Sequence, residues 1–404
     1  MFNLLAKGIL LGTLLTTSLS ADKVVISTDN TGDFLIAPIY IAEDDVCTEV
    51  KVFNTNTTSS ILAKVVFRER IASHEVDLPI FLSPGDVWNA TVCRNVNGVV
   101  SLTSTDDSNH PSAMQTLKYG QSLFDHSNSS NYRRADFPKS FVEIEGKEYE
   151  IKGTQKENID FSRGYIEVFP IAQFYEGSTQ KVGKRKLVER WDMLERGITA
   201  IKGLSKSGVD SYSLSGLVSF QTRKQETSSI PMTAFKGAHD KQLKGHAISY
   251  TTDANTEILL GKDKKIAILK LLQKDTLSFM YDNAGVDQYL NILFPFSHKE
   301  MQSRRYRITI RDMQENKYTM IFSPILKIDN ELVCLSVENL IQLTRDTIKF
   351  KEGMIQITGL MNNDKVQLGK DQIASMIPTL SRVSTLGKQK VVINTTYISV
   401  KKRD

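Results

Sequence analysis

Three cysteines, six histidines and 46 acidic residues are the groups from which this 404-residue chain would build a reactive site. Cys47 opens the strand-like segment CTEVKVFN, and Cys93 closes the strand-like segment VWNATVC. In an oxidising compartment three cysteines accommodate one disulfide and one leftover thiol, and Cys47 with Cys93 is the expected pair. Closing a loop of about 46 residues would stabilise the chain by about 4 kcal/mol in the chain-entropy account. Cys334, far away in VCLSV, is then expected as a buried free thiol. Three unpaired cysteines is the competing reading.

The histidines are His74, His110, His126, His239, His246 and His298, and none are paired at helical i, i+4 spacing. The best small site is Asp106-Asp107-Ser108-Asn109. Asp106, Asp107 and Asn109 crowd hard oxygen ligands into one loop, which suits Ca²⁺. The spacing is not that of a recognised calcium loop, and a solvated turn is the alternative. No other cofactor is implied. Two carboxylates flanking a sugar would support glycoside hydrolysis, but no pair stands out in the sequence. The motifs G-x-S-x-G, H-E-x-x-H, C-x-x-C-H and the phosphate loop are missing. Gly203-Leu204-Ser205-Lys206-Ser207-Gly208 has the wrong spacing for phosphate and reads as a linker. In RRYRITIRD, Arg305, Arg307, Thr309 and Arg311 alternate with Tyr306, Ile308 and Ile310. The arginines are a candidate partner surface for acidic glycans or lipid head groups. A plain solvated strand face is the other reading.

The chain ends bear on the compartment. Lys7 is followed by an apolar stretch from Gly8 to Leu15 and by small and polar residues up to Ala21. That order matches a secretory signal peptide spanning residues 1–21. The apolar run is shorter than the roughly 20 residues a membrane span needs. The end, VVINTTYISVKKRD, carries four charges after a strand-like run, so no C-terminal anchor is expected. Removing Lys7 lowers the formal charge from +5 to +4. That charge is spread along the chain, whereas a nucleic-acid binder needs a clustered basic face.

Strands must position most of these groups. In ILAKVVFRE, Ile61, Ala63, Val65 and Phe67 share one face, with Lys64 and Arg68 on the other. Val76, Leu78, Ile80 and Leu82 share a face of VDLPIFL, which runs into a turn at Ser83-Pro84-Gly85-Asp86. Pro38 and Pro79 mark edges or bulges, because proline cannot donate to a ladder. Residues 108–160 are polar and weakly periodic and read as an elaborated loop. KRKLVERWDMLERGITAI places Leu187, Trp191, Leu194, Ile198 and Ile201 at helical spacing, a connector over 181–207.

Three segment pairs line up in the same order, as an internal duplication would produce. VKVFNTNTTSSILAKVVFRE is set against SFMYDNAGVDQYLNILFPFS, with Asn54 and Asn283 at the turns. FLSPGDVWNATVC is set against IFSPILKIDNELVC, pairing Ser83-Pro84 with Ser323-Pro324 and Cys93 with Cys334. FSRGYIEV is set against FKEGMIQI, pairing Phe161 with Phe350, Gly164 with Gly353 and Ile166 with Ile355. On this alignment Thr276 stands where Cys47 would fall.

The segments GDFLIAPIYIA, VFNTNTT, LSPGDVW, YDNAG, ITIRDMQEN and FSP resemble a group of uncharacterised exported proteins of Gram-negative bacteria. The resemblance covers most of the mature chain and implies no activity. At the level of fold, the first region is also similar to immunoglobulin-like periplasmic domains, including those of pilus chaperones. Their subunit-anchoring basic pair has no counterpart here.

The expectation is therefore a mainly β protein, with two tandem antiparallel β-sandwich, immunoglobulin-like domains at 22–180 and 208–404 and the amphipathic helix between them. The expected function is non-enzymatic, in the periplasm, at the cell surface or secreted. The expected partners are envelope or extracellular proteins, glycans or further copies of the chain, without nucleic acid or a transmembrane anchor. A carbohydrate-active enzyme and a periplasmic chaperone-like protein are the alternatives.

Overall fold

The computed structural model describes residues 23–43, 45–70, 75–106, 133–137, 160–176, 204–206, 214–222, 225–238, 256–273, 276–282, 286–296, 305–312, 317–322, 332–336, 352–361, 377–386, 389–397 and 400–401. These form strands with one helix among them. The first strands are β1 (Val25–Ile26), β2 (Phe34–Ile41), β3 (Val46–Asn54), β4 (Ser60–Glu69), β5 (Glu75–Leu82), β6 (Val87–Arg94) and β7 (Val100–Ser104). Next come β8 (Arg133–Asp136), β9 (Arg163–Glu176), β10 (Leu204–Lys206), β11 (Leu214–Thr222), β12 (Gln225–Pro231) and β13 (Thr233–Lys236). Helix α1 (Thr256–Leu271) is followed by β14 (Thr276–Asp282), β15 (Val286–Leu293), β16 (Arg305–Asp312), β17 (Lys317–Phe322) and β18 (Leu332–Ser336). The last strands are β19 (Glu352–Met361), β20 (Ile377–Leu386), β21 (Gln389–Tyr397) and β22 (Val400–Lys401).

Four antiparallel sheets result. Sheet I runs β1-β13-β2-β9-β4-β5, with β10 added to β9, and sheet II runs β12-β11-β3-β6-β7-β8. Sheet III runs β17-β16-β19-β14-β22 and sheet IV runs β18-β15-β20-β21. Sheets I and II share one core, in which Leu35, Ala37, Ile61, Val65 and Phe67 meet Val50, Val52, Trp88 and Val92. Strict alternation builds the sheet II side: β3 buries Val46, Thr48, Val50, Val52 and Asn54 and leaves the residues between them half-buried. The architecture is mainly β and consistent with sandwich packing.

Strand β2 reads FLIAPIYI and is buried throughout, because both its faces are covered. Its outer face, with Phe34 and Ile36, joins Phe169 and Phe235 in a second apolar cluster. Leu260, Ile268 and Leu272 from α1 and its end cover that cluster, together with Leu293, Leu332 and Ile377 from sheet IV. Phe34 is the hub, with ring centroids 4.7 Å from Phe169 and 5.6 Å from Phe235.

Several sequence expectations meet the structure directly. Pro79 lies in β5, the end strand of sheet I, and Pro38 lies at the register shift between β2 and β9. Gly85 takes φ 72 in the expected turn, where the Asp86 amide donates to the Ser83 carbonyl at 3.0 Å. The connector differs. Residues 181–203 lie outside the described residues, and Leu204–Lys206, expected as its end, form a strand. These residues pair with Phe174–Glu176, because β9 extends to 14 residues and offers them a ladder. Residues 214–236, read with the second region, instead complete sheets I and II, β11 on β3 and β13 on β2. Within the expected irregular stretch 108–160, β8 pairs with β7.

Of the segment pairs, the second keeps its place for the end strands β5 and β17, though β18 ends its sheet among the described residues and β6 does not, and the last keeps its place, β9 and β19 each lying third from one end of their sheet. The first pair does not: it sets β3–β4 against β14–β15, whereas β14–β15 lies where β2–β3 lies. Asn291, rather than Thr276, is the cross-strand partner of Cys334, as Cys47 is of Cys93.

Candidate functional site

Cys47 and Cys93 form a disulfide with Cα atoms 4.6 Å apart. They sit directly opposite each other on β3 and β6, in line with the pairing of Thr48 with Val92. Both are half-buried on the face of sheet II that points away from the shared core. Their neighbour Glu49 accepts from Gln221 Nε2 at 2.9 Å and pairs with Lys51 at 2.8 Å. Alternation of apolar and polar residues around each cysteine was the signal that located them.

Asp106 lies two residues beyond the end of β7, and its amide donates to Ser104 Oγ at 3.1 Å. Asp107 and Asn109 lie outside the described residues. Among the described residues no cluster of three or more His, Cys, Asp or Glu side chains is present. Arg305, Arg307 and Arg311 all belong to β16, between β17 and β19. Arg311 is exposed, but Thr309 on the same alternation is buried, so that face is covered in part.

The concentrated chemistry lies elsewhere, in side chains that the sequence did not single out. Arg163, the first residue of β9, donates from Nη2 to Glu43 Oε2 at 2.6 Å. Ser162 Oγ donates to the other Glu43 oxygen at 3.1 Å, and the Ser162 amide donates to Asp160 at 3.0 Å. Asp160 in turn pairs with Arg70 at 2.7 Å. The backbone draws these groups together, since Glu43 follows β2, Arg70 follows β4 and residues 160–163 lead into β9 between them. Burial pushes the Asp160 carboxyl upward, but the Ser162 bonds and the Arg70 charge outweigh it and hold it below its ordinary value.

Sheet IV reaches into this cluster. The Arg163 guanidinium carbon stands 4.8 Å from the centroid of the Tyr289 ring. The same guanidinium is within hydrogen-bonding reach of the Cys334 thiol. Burial pushes that thiol up, and the pull of Arg163 and Arg70 does not reverse the shift. A thiol with a raised value stays protonated at neutral pH and is a poor nucleophile. The arrangement thus holds surfaces together and does not activate Cys334. Hydroxyls extend the contact: the Thr395 amide donates to Ser228 Oγ at 2.9 Å, and Tyr397 donates to the Pro231 carbonyl at 2.5 Å.

A second ion pair, Arg68 with Glu167 at 2.7 Å, lies on the outer face of sheet I and is almost wholly buried. Lys64 is buried on the same face. Alternation along β4 separates Lys64 and Arg68 from the sandwich core, but it does not tell that their own face is covered.

No known protein family, characterised protein or solved structure matches the chain. Among the described residues no helix is long and apolar enough to cross a membrane.

Proposed function

We propose that this chain is an exported protein of the cell envelope or cell surface that works by contact, binding other proteins or glycans or building an extracellular structure, without catalysing a reaction. The observation that carries this reading is the Cys47–Cys93 disulfide, half-exposed on the outer face of sheet II. Such a bond persists in oxidising compartments and is kept reduced in the cytoplasm. The secretory pattern of residues 1–21 and the resemblance to exported Gram-negative proteins agree with it.

The reading includes a duplicated sandwich unit. The order β13-β2-β9-β4-β5 in sheet I has its counterpart in β22-β14-β19-β16-β17 of sheet III. The order β12-β11-β3-β6 in sheet II has its counterpart in β21-β20-β15-β18 of sheet IV. Tandem sandwiches of this kind suit adhesive and structural work, because rigid sheets present extended side surfaces.

Two measurements on intact cells test the proposal. External protease should degrade the protein while a periplasmic control survives if it lies at the surface, and should spare it until the outer membrane is opened if it is periplasmic. Alkylation of thiols at lysis should find Cys47 and Cys93 oxidised and Cys334 free. Cys47 and Cys93 trapped as thiols in living cells would sink the export reading.

A further inference from the structure

We infer that Arg163 is a latch: its side chain fixes the register in which sheet IV, and with it the second pair of sheets, sits on the first pair. The inference does not depend on where the protein resides or what it binds.

The contact between the sheet pairs combines an apolar seam, the hydrogen bonds of β21 to β12 at one edge, and Arg163 against other parts of sheet IV. The apolar seam of Phe34, Ile36 and Phe169 against Leu293, Leu332 and Ile377 supplies attraction. Such burial is non-directional and sets no register by itself. Arg163 supplies direction. It is rooted in β9, the strand between β2 and β4, and its side chain is only 12% exposed. Glu43 clamps one edge of the guanidinium at 2.6 Å, so the plane cannot swing freely. The same group meets sheet IV, its guanidinium carbon lying over the Tyr289 ring 4.8 Å from the centroid. Arg163 Nε is buried and has no hydrogen-bond partner among the described residues. Leaving it so is tolerable only while the charge is held by Glu43 and by the faces of Tyr289 and Cys334. A planar, always-charged fork suits that task, and a lysine would not reproduce it.

Cys334 supplies the readout, since it is the free thiol among the described residues and stands at the latch. Reaction of the intact protein with an aromatic disulfide reagent measures how often this contact opens. In the wild type Cys334 should react far more slowly than in the urea-unfolded chain. In Arg163→Gln the rate should rise about tenfold or more, as expected for losing a charge-assisted contact, with an unchanged far-UV spectrum. X-ray scattering of that variant should extend to longer interatomic distances, which local fraying of β18 would not produce. Arg163→Lys should fall between. Tyr289→Leu, which leaves the Arg163–Glu43 pair intact, should reproduce the effect from the other side and serves if Arg163→Gln does not fold. Wild-type labelling rates in Arg163→Gln and Tyr289→Leu, or scattering unchanged in both, would overturn the latch.

Discussion

The ring of Tyr40 lies across Gly164 on the neighbouring strand, so close that a Cβ built on Gly164 would stand 2.6 Å from Tyr40 Cε1 and 1.8 Å from the Arg68 carbonyl oxygen. Sheet III repeats the relationship. A Cβ on Gly353 would stand 2.8 Å from Tyr281 Cε1 and 2.2 Å from the Arg311 carbonyl oxygen. In both sheets the glycine pairs with the tyrosine on one side and with an acidic residue on the other, Glu69 or Asp312.

Gly164→Ala should therefore force β4 or Tyr40 out of place. Overpacking of a tight core costs about 1–3 kcal/mol, and contact with rigid backbone puts this site at the upper end. Gly353→Ala should behave alike. Urea titration of each variant measures the loss, and a midpoint equal to wild type for either would show that the sheet yields more easily than the distances imply.

Tyr40→Phe should do the reverse. The Tyr40 hydroxyl is fully buried and has no hydrogen-bond partner among the described residues. Removing a buried, unpaired hydroxyl relieves a desolvation cost of about 1–3 kcal/mol, so the variant should be more stable. Thermal melts decide this, and a lower melting temperature would mean that the hydroxyl serves a partner after all.

Asn291→Cys should create a second disulfide. Asn291 faces Cys334 across β15 and β18, as Cys47 faces Cys93 across β3 and β6. Oxidised Asn291→Cys should lose its free thiol and gain a cross-link between the peptides that carry residues 291 and 334. Mass spectrometry of a digest reads this directly. A persistent free Cys334 would show that the two strand pairs do not present equivalent geometry.

Alkali should loosen the contact of β12 with β21. The Tyr397 ring is partly exposed, but its phenol donates to the Pro231 carbonyl, and lost hydration around the hydroxyl pushes it up to about 12 from the ordinary 10.0. A value raised by folding gives stability that is complete below pH 10 and is lost as the pH climbs through about 12. Asp160 works in the opposite sense: its lowered carboxyl gives stability above its ordinary value of 3.8 that is lost as acid protonates it. Melting temperatures across pH should fall at both ends. Tyr397→Phe should flatten the alkaline limb, and Asp160→Asn the acid limb.

The sequence by itself determined the β character of the chain, the disulfide and the inward faces of the strands. Alternation is a local property: Val46, Thr48, Val50 and Val52 must share a face once β3 is extended, and the same period puts Cys47 and Cys93 on the other face. Turn chemistry was equally local, as Gly85 and Asp86 show. The tertiary structure alone decided which strands are neighbours. Residues 214–236 return to β2 and β3 across a long stretch of chain, a choice no local period encodes. It also decided what covers the outer faces. Alternation sets Lys64 and Arg68 on the face away from the sandwich core without telling that this face is buried, and Arg163 reads as one charge among many until Glu43, Tyr289 and Cys334 converge on it from separate parts of the chain. Convergence is set by which sheets pack together, and that is settled by the sum of burial over the whole fold rather than by any segment's own pattern.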